Sequence, residues 1–443
     1  MLSRLAFKPC RVLSGKRLSI MHATACPAIL ISAPASGQGK TMTTAALARA
    51  WRNQGLRVQA FKCGPDFLDP MILETATGRP VYNLDFTMCG EADAQAQLYR
   101  AAQNADLIVV EGVMGLYDGA PSSADIAIRF GLPVLLTIDA SGMAQTFGAL
   151  AAGLLGFKPE LKGAGVLANK VGSAGHAKLL QACLPAHLSW FGALIKDENL
   201  ALPERHLGLF RAHEISDLDQ KIETAARALT QLCDLPLPAP VTFEAPANHH
   251  IPKLLANKTI AIARDAAFCF IYQGNLDCLQ DMGATLQFFS PLHDTSLPEA
   301  DAYWLPGGYP ELHLEQMANN VSMRAALQAA FAANIPILAE CGGMMALSET
   351  INQQPAFNLL PGHSQMHDRL QALGSMRITM AEGELGAHTF HYGSFETKLP
   401  VCASAKTRFG KTENVYRHGT IHASFLHFYF PSNPAAAAAF FGG

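Results

Sequence analysis

Residues 337–347 read ILAECGGMMAL, and this stretch decides how the last third of the chain folds. A short apolar run ends at Glu340, Cys341 follows at once, and Gly342 and Gly343 precede a second apolar run. The pattern predicts a strand, a sharp turn and a helix, with the thiol at the carboxyl edge of a sheet. A helix N-terminus beside the sulfur favours the thiolate, whereas most free cysteines are buried structural residues. The stretch alone leaves both interpretations open.

A second glycine-rich turn supplies what a cysteine nucleophile requires. Residues 300–311 read ADAYWLPGGYPE and predict another strand, which ends in a Gly-Gly turn. The backbone N–H of Gly307 or Gly308 would face a developing oxyanion there, together with the N–H of Gly342 beside the cysteine. This turn favours a catalytic cysteine over a structural one.

A histidine in an apolar strand completes the candidate site. Residues 422–430 read HASFLHFYF and place His427 among apolar and aromatic residues. A lone histidine in such a strand is more often a hydrogen-bonded core residue than a base. Because the elbow and the oxyanion turn precede it, the favoured interpretation is a Cys341/His427 pair. The sequence therefore predicts a hydrolase that forms a thioester.

The order PGGYPE, AECGGMMAL, FHY and ASFLHFYF resembles the class I glutamine amidotransferase domain of the cobyrinic acid a,c-diamide synthases. The resemblance implies that Cys341 attacks the side-chain amide of glutamine and that His427 is its base. Ammonia then leaves, and water clears the glutamyl thioester. One position departs from the wider amidotransferase pattern, because Tyr429 stands where a carboxylate usually follows the histidine. A dyad is therefore expected, and the sequence does not identify the group that orients the imidazole.

A phosphate-binding loop is predicted near the start of the chain. Residues 28–55 read AILISAPASGQGKTMTTAALARAWRNQG, which predicts a buried strand, a glycine-rich loop and a helix. In such a loop backbone N–H groups hold the ATP phosphates, a lysine neutralises them and a threonine hydroxyl binds Mg²⁺. Pro34 replaces the first glycine of GxxxxGK[ST], but the flanking strand and helix favour this interpretation over a plain turn. The candidate ATP-binding residues are Gly37, Gly39, Lys40 and Thr41.

Carboxylates follow the next two predicted strands. The stretch CGPDFLDP contains Asp66 and Asp69, and the apolar run of DLIVVEGVMGLYDG ends in Glu111, with Asp118 further on. Ligands of open α/β sheets bind at the carboxyl ends of such strands, although Asp, Gly and Pro also form ordinary turns. We expect Thr41 and Glu111 to bind Mg²⁺, with Asp66 as a third candidate ligand.

The stretches GQGKT, GPDFLDP and VEGVMGLYDG resemble the synthetase half of the same family, so the resemblance runs from about residue 28 to the C-terminus. It implies that MgATP phosphorylates a corrinoid carboxylate and that ammonia then displaces phosphate from the acyl phosphate. Asp69 and Asp118 would hold the substrate and the activated intermediate. Asn169 lies where related P-loop synthetases recognise adenine, although a helix N-cap is an equally good interpretation.

The fold predicted from these patterns is α/β throughout, with two domains. Residues 27–233 are expected to form one domain with a parallel sheet, and residues 258–443 a second α/β domain. The resemblance implies that the first is an ATP-binding, dethiobiotin-synthetase-like domain and the second a flavodoxin-like glutamine amidotransferase domain. A proline-rich linker, residues 234–257, joins them. Residues 1–26 carry five basic and no acidic side chains but lack the apolar centre of a secretory signal, so we expect a disordered extension or a true start at Met21.

Composition limits the class of protein and its partners. The 443 residues are 49% hydrophobic and carry a formal net charge of −3, which argues against nucleic acid as a partner. The ten cysteines include no CxxC pair, which indicates reduced thiols and a cytoplasmic protein, and no segment predicts a membrane span. The expected partners are therefore small molecules: a corrinoid acid, L-glutamine and ATP. Oligomeric state stays open, with a homodimer as one expectation.

Other functions fit parts of the sequence. Cobyric acid synthase resembles both halves but modifies four other carboxylates, and the PDFLDP and LYDG loops favour the a,c-diamide branch. A P-loop switch ATPase requires no glutaminase half, and a cysteine peptidase requires no ATP. Within the favoured branch, cobyrinic acid and metal-free hydrogenobyrinic acid offer the same two carboxylates.

Overall fold

Strands and helices alternate through the first half of the chain. The computed structural model describes residues 23–205, 208–209, 211–232, 235–247, 251–408 and 410–443. The strands of this half are β1 (Ala23–Ser32), β2 (Val58–Cys63), β3 (Tyr82–Leu84), β4 (Leu107–Glu111), β5 (Val134–Asp139), β6 (Gly163–Val171), β7 (Ser189–Ile195), β8 (Glu204–Arg205), β9 (Gly208–Leu209) and β10 (Pro240–Glu244). The helices are α1 (Lys40–Asn53), α2 (Leu68–Thr77), α3 (Glu91–Asn104), α4 (Ser123–Phe130), α5 (Thr146–Gly156), α6 (Ala174–Ala182) and α7 (Leu218–Leu232).

A parallel sheet with the strand order β3-β2-β4-β1-β5-β6-β7 forms the centre of this half. Successive residues of β1 face opposite layers of the core. Leu30 packs in the cluster that contains Phe147, and Ile31 packs in the cluster that contains Trp51. Burial on both faces explains why these strands are continuously apolar, as parallel sheets covered by helices require. The predicted P-loop domain with a parallel sheet is confirmed.

The proline-rich segment after α7 adds one more strand to this sheet. β10 runs antiparallel to the first half of β1, from Ala23 opposite Glu244 to Pro27 opposite Pro240. The side chain of Phe243 is buried in the same cluster as Leu30. The segment therefore contributes to the core of the N-terminal half.

This strand corrects two predicted boundaries. The segment predicted as a linker, residues 234–257, places residues 240–244 in the sheet, and β1 begins inside the extension predicted over residues 1–26. The prolines concealed the alternation of buried and exposed residues, and proline is tolerated because β10 pairs on one side only. The remainder of the predicted extension and parts of the linker lie outside the described residues: 1–22, 234 and 248–250.

The second half contains a larger share of strands. They are β11 (Thr259–Ala263), β12 (Thr285–Phe289), β13 (Ala302–Leu305), β14 (Ile337–Glu340), β15 (Ser348–Ile351), β16 (Gln354–Pro355), β17 (Leu360–Met366), β18 (Ala372–Met380), β19 (Gly383–His391), β20 (Gly393–Glu396), β21 (Val401–Lys406), β22 (Thr412–His418), β23 (Ile421–Ser424) and β24 (His427–Tyr429). The helices are α8 (Gln273–Asp281), α9 (Leu314–Asn319), α10 (Val321–Ala332), α11 (Gly342–Leu347) and α12 (Pro434–Ala439).

A second sheet, in the order β12-β11-β13-β14-β23-β22-β21, organises this half. Its strands are parallel from β12 to β23, and β22 and β21 are antiparallel additions. The predicted second α/β domain is confirmed. The single strand predicted over residues 422–430 is wrong, because β23 ends at Ser424 and β24 begins at His427 in a separate sheet with β18 and β19. The hydroxyl of Ser424 accepts a hydrogen bond from the N–H of Leu426, which turns the chain between them.

No helix within the described ranges is long and apolar enough to span a membrane.

The role of β10 in the N-terminal core predicts a difference between two substitutions. Phe243→Ala should lower the free energy of unfolding by about 3 kcal/mol, because it removes a buried aromatic ring and leaves a cavity. Thr242→Ala, on the exposed side of the same strand, should change it by less than about 0.5 kcal/mol. Urea unfolding followed by circular dichroism measures both values. Equal stability of the two variants would show that the segment is only a linker.

Candidate active site

Cys341 stands on a strained elbow between β14 and α11, as its sequence pattern predicts. Its backbone has φ 46° and ψ −108°, a conformation that a residue other than glycine adopts only when surrounding contacts impose it. The N–H of Cys341 donates to the carbonyl of Ser424 at 2.7 Å. Burial raises the pKa of the thiol and outweighs the N–H of Gly342, which lowers it. A base is therefore needed to form the thiolate.

The glycines of the two turns are packed against the elbow. A Cβ atom on Gly307 would lie 2.3 Å from Cε1 of His427 and 3.3 Å from Cβ of Cys341. A Cβ atom on Gly342 would lie 2.9 Å from the backbone nitrogen of Gly308. The structure thus brings the predicted nucleophile, the predicted base and both predicted oxyanion donors together, in a space too small for any larger residue at the turns.

The imidazole of His427 is buried and neutral. Burial and the neighbouring His388 and His391 hold the pKa of His427 well below its usual range, so the ring is uncharged at pH 7 and keeps a lone pair. The ring of His388 stacks on that of His427 with centroids 4.8 Å apart. Nδ1 of His427 is buried and has no hydrogen-bond partner among the described residues. No described side chain therefore orients the ring through a hydrogen bond to Nδ1.

Glu340 is a site residue that the sequence analysis did not identify. Its Oε1 accepts the N–H of Phe428 at 2.8 Å, and its Oε2 accepts Nε1 of Trp304 at 2.9 Å. The carboxyl thus joins the strand before Cys341 to the strand that begins with His427. An acidic residue at the end of a buried strand was the available signal. Burial raises the pKa of Glu340 to about 8.

The phosphate loop has the predicted form. Gly37 and Gly39 have φ of 75° and 82°, which favours glycine, and α1 begins at Lys40. Nζ of Lys40 donates to the carbonyl of Met114 at 2.6 Å and lies against the loop. The side-chain nitrogen of Asn169 donates to the carbonyl of Gln38 at 2.9 Å.

Asn169 therefore contacts the phosphate loop itself. Ser173 accepts the capping hydrogen bond at the start of α6, so the helix N-cap interpretation of Asn169 is wrong. The adenine-binding interpretation stays a prediction.

Carboxylates converge beside the phosphate loop. The hydroxyl of Thr41 lies 2.8 Å from Oε1 of Glu111 and 3.1 Å from Oδ1 of Asp69. The other oxygen of Glu111 is buried and has no hydrogen-bond partner within the described part of the chain. Burial raises the pKa of Glu111 to about 7.

Lys62 lies at the centre of this cluster and was also missed. Its Nζ is 2.7 Å from Oδ2 of Asp69 and 3.2 Å from Oε1 of Glu111, and its side chain is 3% exposed. A lysine inside the apolar strand VQAFKC was the available signal, because a lysine is buried only with a charged partner. Thr41, Lys62, Asp69 and Glu111 therefore form one group, hereafter the carboxylate cluster.

The two other predicted acidic residues contact their own loops. Oδ1 of Asp66 accepts the N–H of Leu68 at 2.8 Å and so fixes the start of α2. Burial, and then the charge of Asp69, raise the pKa of Asp66 to about 7. Asp118 is exposed, and its Oδ2 accepts the N–H of Gly115 at 3.0 Å. Asp66 and Asp118 thus shape the loops around the carboxylate cluster.

The donor set suits a magnesium ion that also contacts phosphate. Within the described ranges no group of three or more His, Cys, Asp or Glu side chains is placed to hold a metal by itself. Mg²⁺ bound with a nucleotide usually takes only one or two carboxylates, the remaining ligands being phosphate oxygens and water. The hydroxyl of Thr41 and the unpartnered oxygen of Glu111 fit that requirement.

A single cleft of about 1230 Å³ connects the carboxylate cluster with the elbow. It is lined by residues of both halves of the chain, including Lys40, Lys62, Asp69, Glu111, Cys341 and His427. The side chain of Phe67 lies between the two sites and lines the same cleft. One cleft therefore connects the predicted phosphate loop with the thiol and imidazole of the elbow.

Comparison with known proteins covers both halves. Residues 29–209 match the CobQ/CobB/MinD/ParA nucleotide binding domain, and residues 259–435 match the CobB/CobQ-like glutamine amidotransferase domain. The hydrogenobyrinate a,c-diamide synthases of Stutzerimonas stutzeri and Pseudomonas aeruginosa are 53% and 52% identical over 421 residues, covering 94% of this chain and 98% and 97% of theirs. The cobyrinate a,c-diamide synthase of Herminiimonas arsenicoxydans is 46% identical over 423 residues, covering 93% of this chain and 96% of its own.

The buried charges of the carboxylate cluster predict a pH-dependent effect of Lys62→Met. At pH 8 the variant should lose about 3 kcal/mol of unfolding free energy, because Glu111 and Asp69 keep buried charge without a cation. The loss should shrink at pH 5. The pKa of Glu111, about 7 when folded, exceeds its ordinary value, so the folded protein takes up a proton as the pH falls below 7.

Urea unfolding at both pH values measures this difference. Lys158→Met is the matched control, because Lys158 pairs with Asp125 at 2.8 Å on the surface and should contribute less than about 1 kcal/mol at either pH. A Lys62→Met variant as stable as the control at pH 8 would contradict the proposed compensation.

Proposed function

Since the chain belongs to the cobyrinate and hydrogenobyrinate a,c-diamide synthase family, we propose that it amidates the a and c side-chain carboxylates of a corrinoid acid, with glutamine as nitrogen donor and ATP as cosubstrate. It is a carbon–nitrogen ligase. The observation that carries this proposal is the common cleft, which joins the phosphate loop to the Cys341 elbow. Ammonia released at the thiol reaches the activated carboxylate without crossing bulk water.

The glutaminase step uses the residues of the elbow. The sulfur of Cys341 attacks the amide carbon of glutamine while His427 takes the thiol proton. The N–H groups of Gly308 and Gly342 donate to the oxyanion that forms. The C–N bond breaks, His427 returns its proton to the leaving nitrogen, and ammonia departs. Water, deprotonated by His427, then hydrolyses the thioester and releases glutamate.

The synthetase step makes the corrinoid carboxylate reactive. A carboxylate is a poor electrophile, so its oxygen first attacks the γ-phosphorus of ATP and ADP leaves. Lys40 faces the phosphates, and Lys62 holds the carboxylate cluster in place. Ammonia then attacks the acyl carbon and inorganic phosphate leaves. The second carboxylate requires the same cycle.

Mg²⁺, when bound, neutralises charge on the transferred phosphoryl group. We propose Thr41 and Glu111 as its protein ligands, with Asp69 as the third candidate in place of Asp66. Asp69 lies 3.1 Å from the hydroxyl of Thr41, whereas an oxygen of Asp66 already accepts the backbone N–H that starts α2. The sequence analysis assigned these two aspartates the other way round. Asp66 and Asp118 then shape the loops that hold the substrate.

The cleft wall fits a large ring that carries several carboxylates. Apolar side chains such as Leu373 and Met376 line it. Besides Lys40 and Lys62, five more cationic residues line it: Lys170, Lys196, Arg377, Lys406 and Arg408. Two relatives at 52–53% identity act on hydrogenobyrinate by name, and one at 46% acts on cobyrinate. We therefore propose metal-free hydrogenobyrinic acid as the first substrate to test, with cobyrinic acid as the second. The proposed compartment is the cytoplasm.

The experiment that tests this function is mass spectrometry of the product. Hydrogenobyrinic and cobyrinic acid are incubated separately with the protein, MgATP and either glutamine or an ammonium salt. We expect two amides on at least one acid with either nitrogen source. Cys341→Ala should lose the reaction with glutamine and keep it with ammonium, because only ammonia release requires the thiol. Chelation of Mg²⁺ should abolish both reactions.

Cys402→Ala is the control for cysteine loss, since this exposed thiol lies outside the cleft lining. It should retain both reactions. Absence of amide on either acid with ammonium would overturn the corrinoid assignment. Retained glutamine-driven amidation in Cys341→Ala would overturn the role of the elbow.

A further inference from the structure

Tyr429 occupies the position at which other amidotransferases carry a carboxylate, and its side chain makes different contacts. Tyr429 stands two residues after His427 and is 1% exposed. Its hydroxyl donates to Oδ2 of Asp93 at 2.8 Å and accepts from Nε2 of Gln97 at 2.7 Å. Both partners lie on α3, in the ATP-binding half of the chain. The strand that carries the base is thus bonded to the other domain.

The same domain also contacts the imidazole directly. Phe67 lies between Asp66 and the start of α2, and its ring centroid is 5.0 Å from that of His427. The ring of Phe67 also stacks on Phe270 at 4.9 Å and on Tyr272 at 4.3 Å. Phe67, a side chain of the ATP-binding half, is thus packed against the predicted base of the glutaminase.

Within the amidotransferase half, Glu340 and the pairing of β24 with β19 hold the backbone beside His427, and the ring of His388 stacks on its imidazole. Nδ1 of His427 has no hydrogen-bond partner among the described residues, and the stacked His388 donates or accepts at its own Nδ1 with the hydroxyl of Tyr272. Stacking fixes the plane of a ring but leaves it free to slide and rotate in that plane. The contact with Phe67 restricts this motion of the ring, and the bonds of Tyr429 add to those that hold β24.

We propose that the ATP-binding domain positions the glutaminase base: Phe67 packs on the ring of His427, and the bonds from Tyr429 to Asp93 and Gln97 hold the strand that carries it. The inference rests on the glutaminase activity proposed above. Glutamine is then hydrolysed efficiently only when the two domains are docked. A shift of the loop that carries Phe67 as substrate binds changes the environment of the base. Tyr429 and Phe67 are positioning residues, because neither touches the reacting atoms.

Tyr429→Phe tests the proposal, since it keeps the ring and removes only the hydroxyl. We expect kcat of glutamine-dependent amidation to fall about tenfold, with KM for glutamine changed less than about twofold, because misplacing a catalytic group slows the chemical step. The rate with saturating ammonium should stay within about twofold of the wild-type rate, because the synthetase residues are intact. Phe67→Leu should lower the glutamine-dependent rate in the same way.

Another hydrogen bond across the same domain interface provides a matched control. The hydroxyl of Tyr82 donates to Oδ2 of Asp277 at 2.8 Å, and neither residue lines the cleft that contains His427. Tyr82→Phe therefore removes an interdomain bond of the same kind. It should leave both rates unchanged. Asp93→Asn keeps an acceptor oxygen for Tyr429 and should retain the glutamine-dependent rate, whereas Asp93→Ala should lower it by no more than Tyr429→Phe does.

The results distinguish failure of the positioning inference from failure of the proposed function. If Tyr429→Phe matches Tyr82→Phe with glutamine while the wild type is active, the positioning inference is wrong and the proposed function stands. If the wild type releases no glutamate from glutamine, the proposed function fails and this inference fails with it. Thermal unfolding of each variant identifies any that are slow only because they are unfolded.

Discussion

Two hydrogen bonds of the Glu340 carboxyl hold together the strands that carry Cys341 and His427. This group accepts from the backbone of β24 and from the indole of Trp304 on β13, so three strands from two sheets meet at one buried side chain. Cys341 follows it directly and His427 precedes one of its donors. The separation of nucleophile and base is therefore set by a buried polar contact, which tolerates little displacement because an unpaired buried group is costly.

In the ATP-binding half, several acidic side chains lie close together, and their mutual repulsion must be compensated within the protein. Lys62 compensates Asp69 and Glu111 from within the sheet, and protonation is available to Glu111 and Asp66, whose pKa values lie near 7. The net charge of these acids can thus change by protonation near neutral pH. The acids of the cluster therefore need not destabilise the domain when no ligand is bound.

The parts of the structure that the sequence predicted are local patterns. The elbow at Cys341 and the loop before Lys40 each lie within about a dozen residues, and their glycines and apolar runs are visible in the sequence. What was missed depends on contacts between distant segments. The pairing of β10 with β1, the burial of Lys62 among acids and the contact of Tyr429 with α3 each require the tertiary fold. Tyr429 was noticed only because a carboxylate was expected there.

Strand β10 also determines how far the two halves of the chain can separate. Because it anchors the chain to the first sheet as far as Glu244, the free connection to β11 at Thr259 is short, and Leu255 within it is buried. A segment of this length spans at most about 50 Å when fully extended. Each domain therefore experiences the other at a high effective concentration, of millimolar order. A few interdomain hydrogen bonds and one aromatic cluster then suffice to keep the two domains docked.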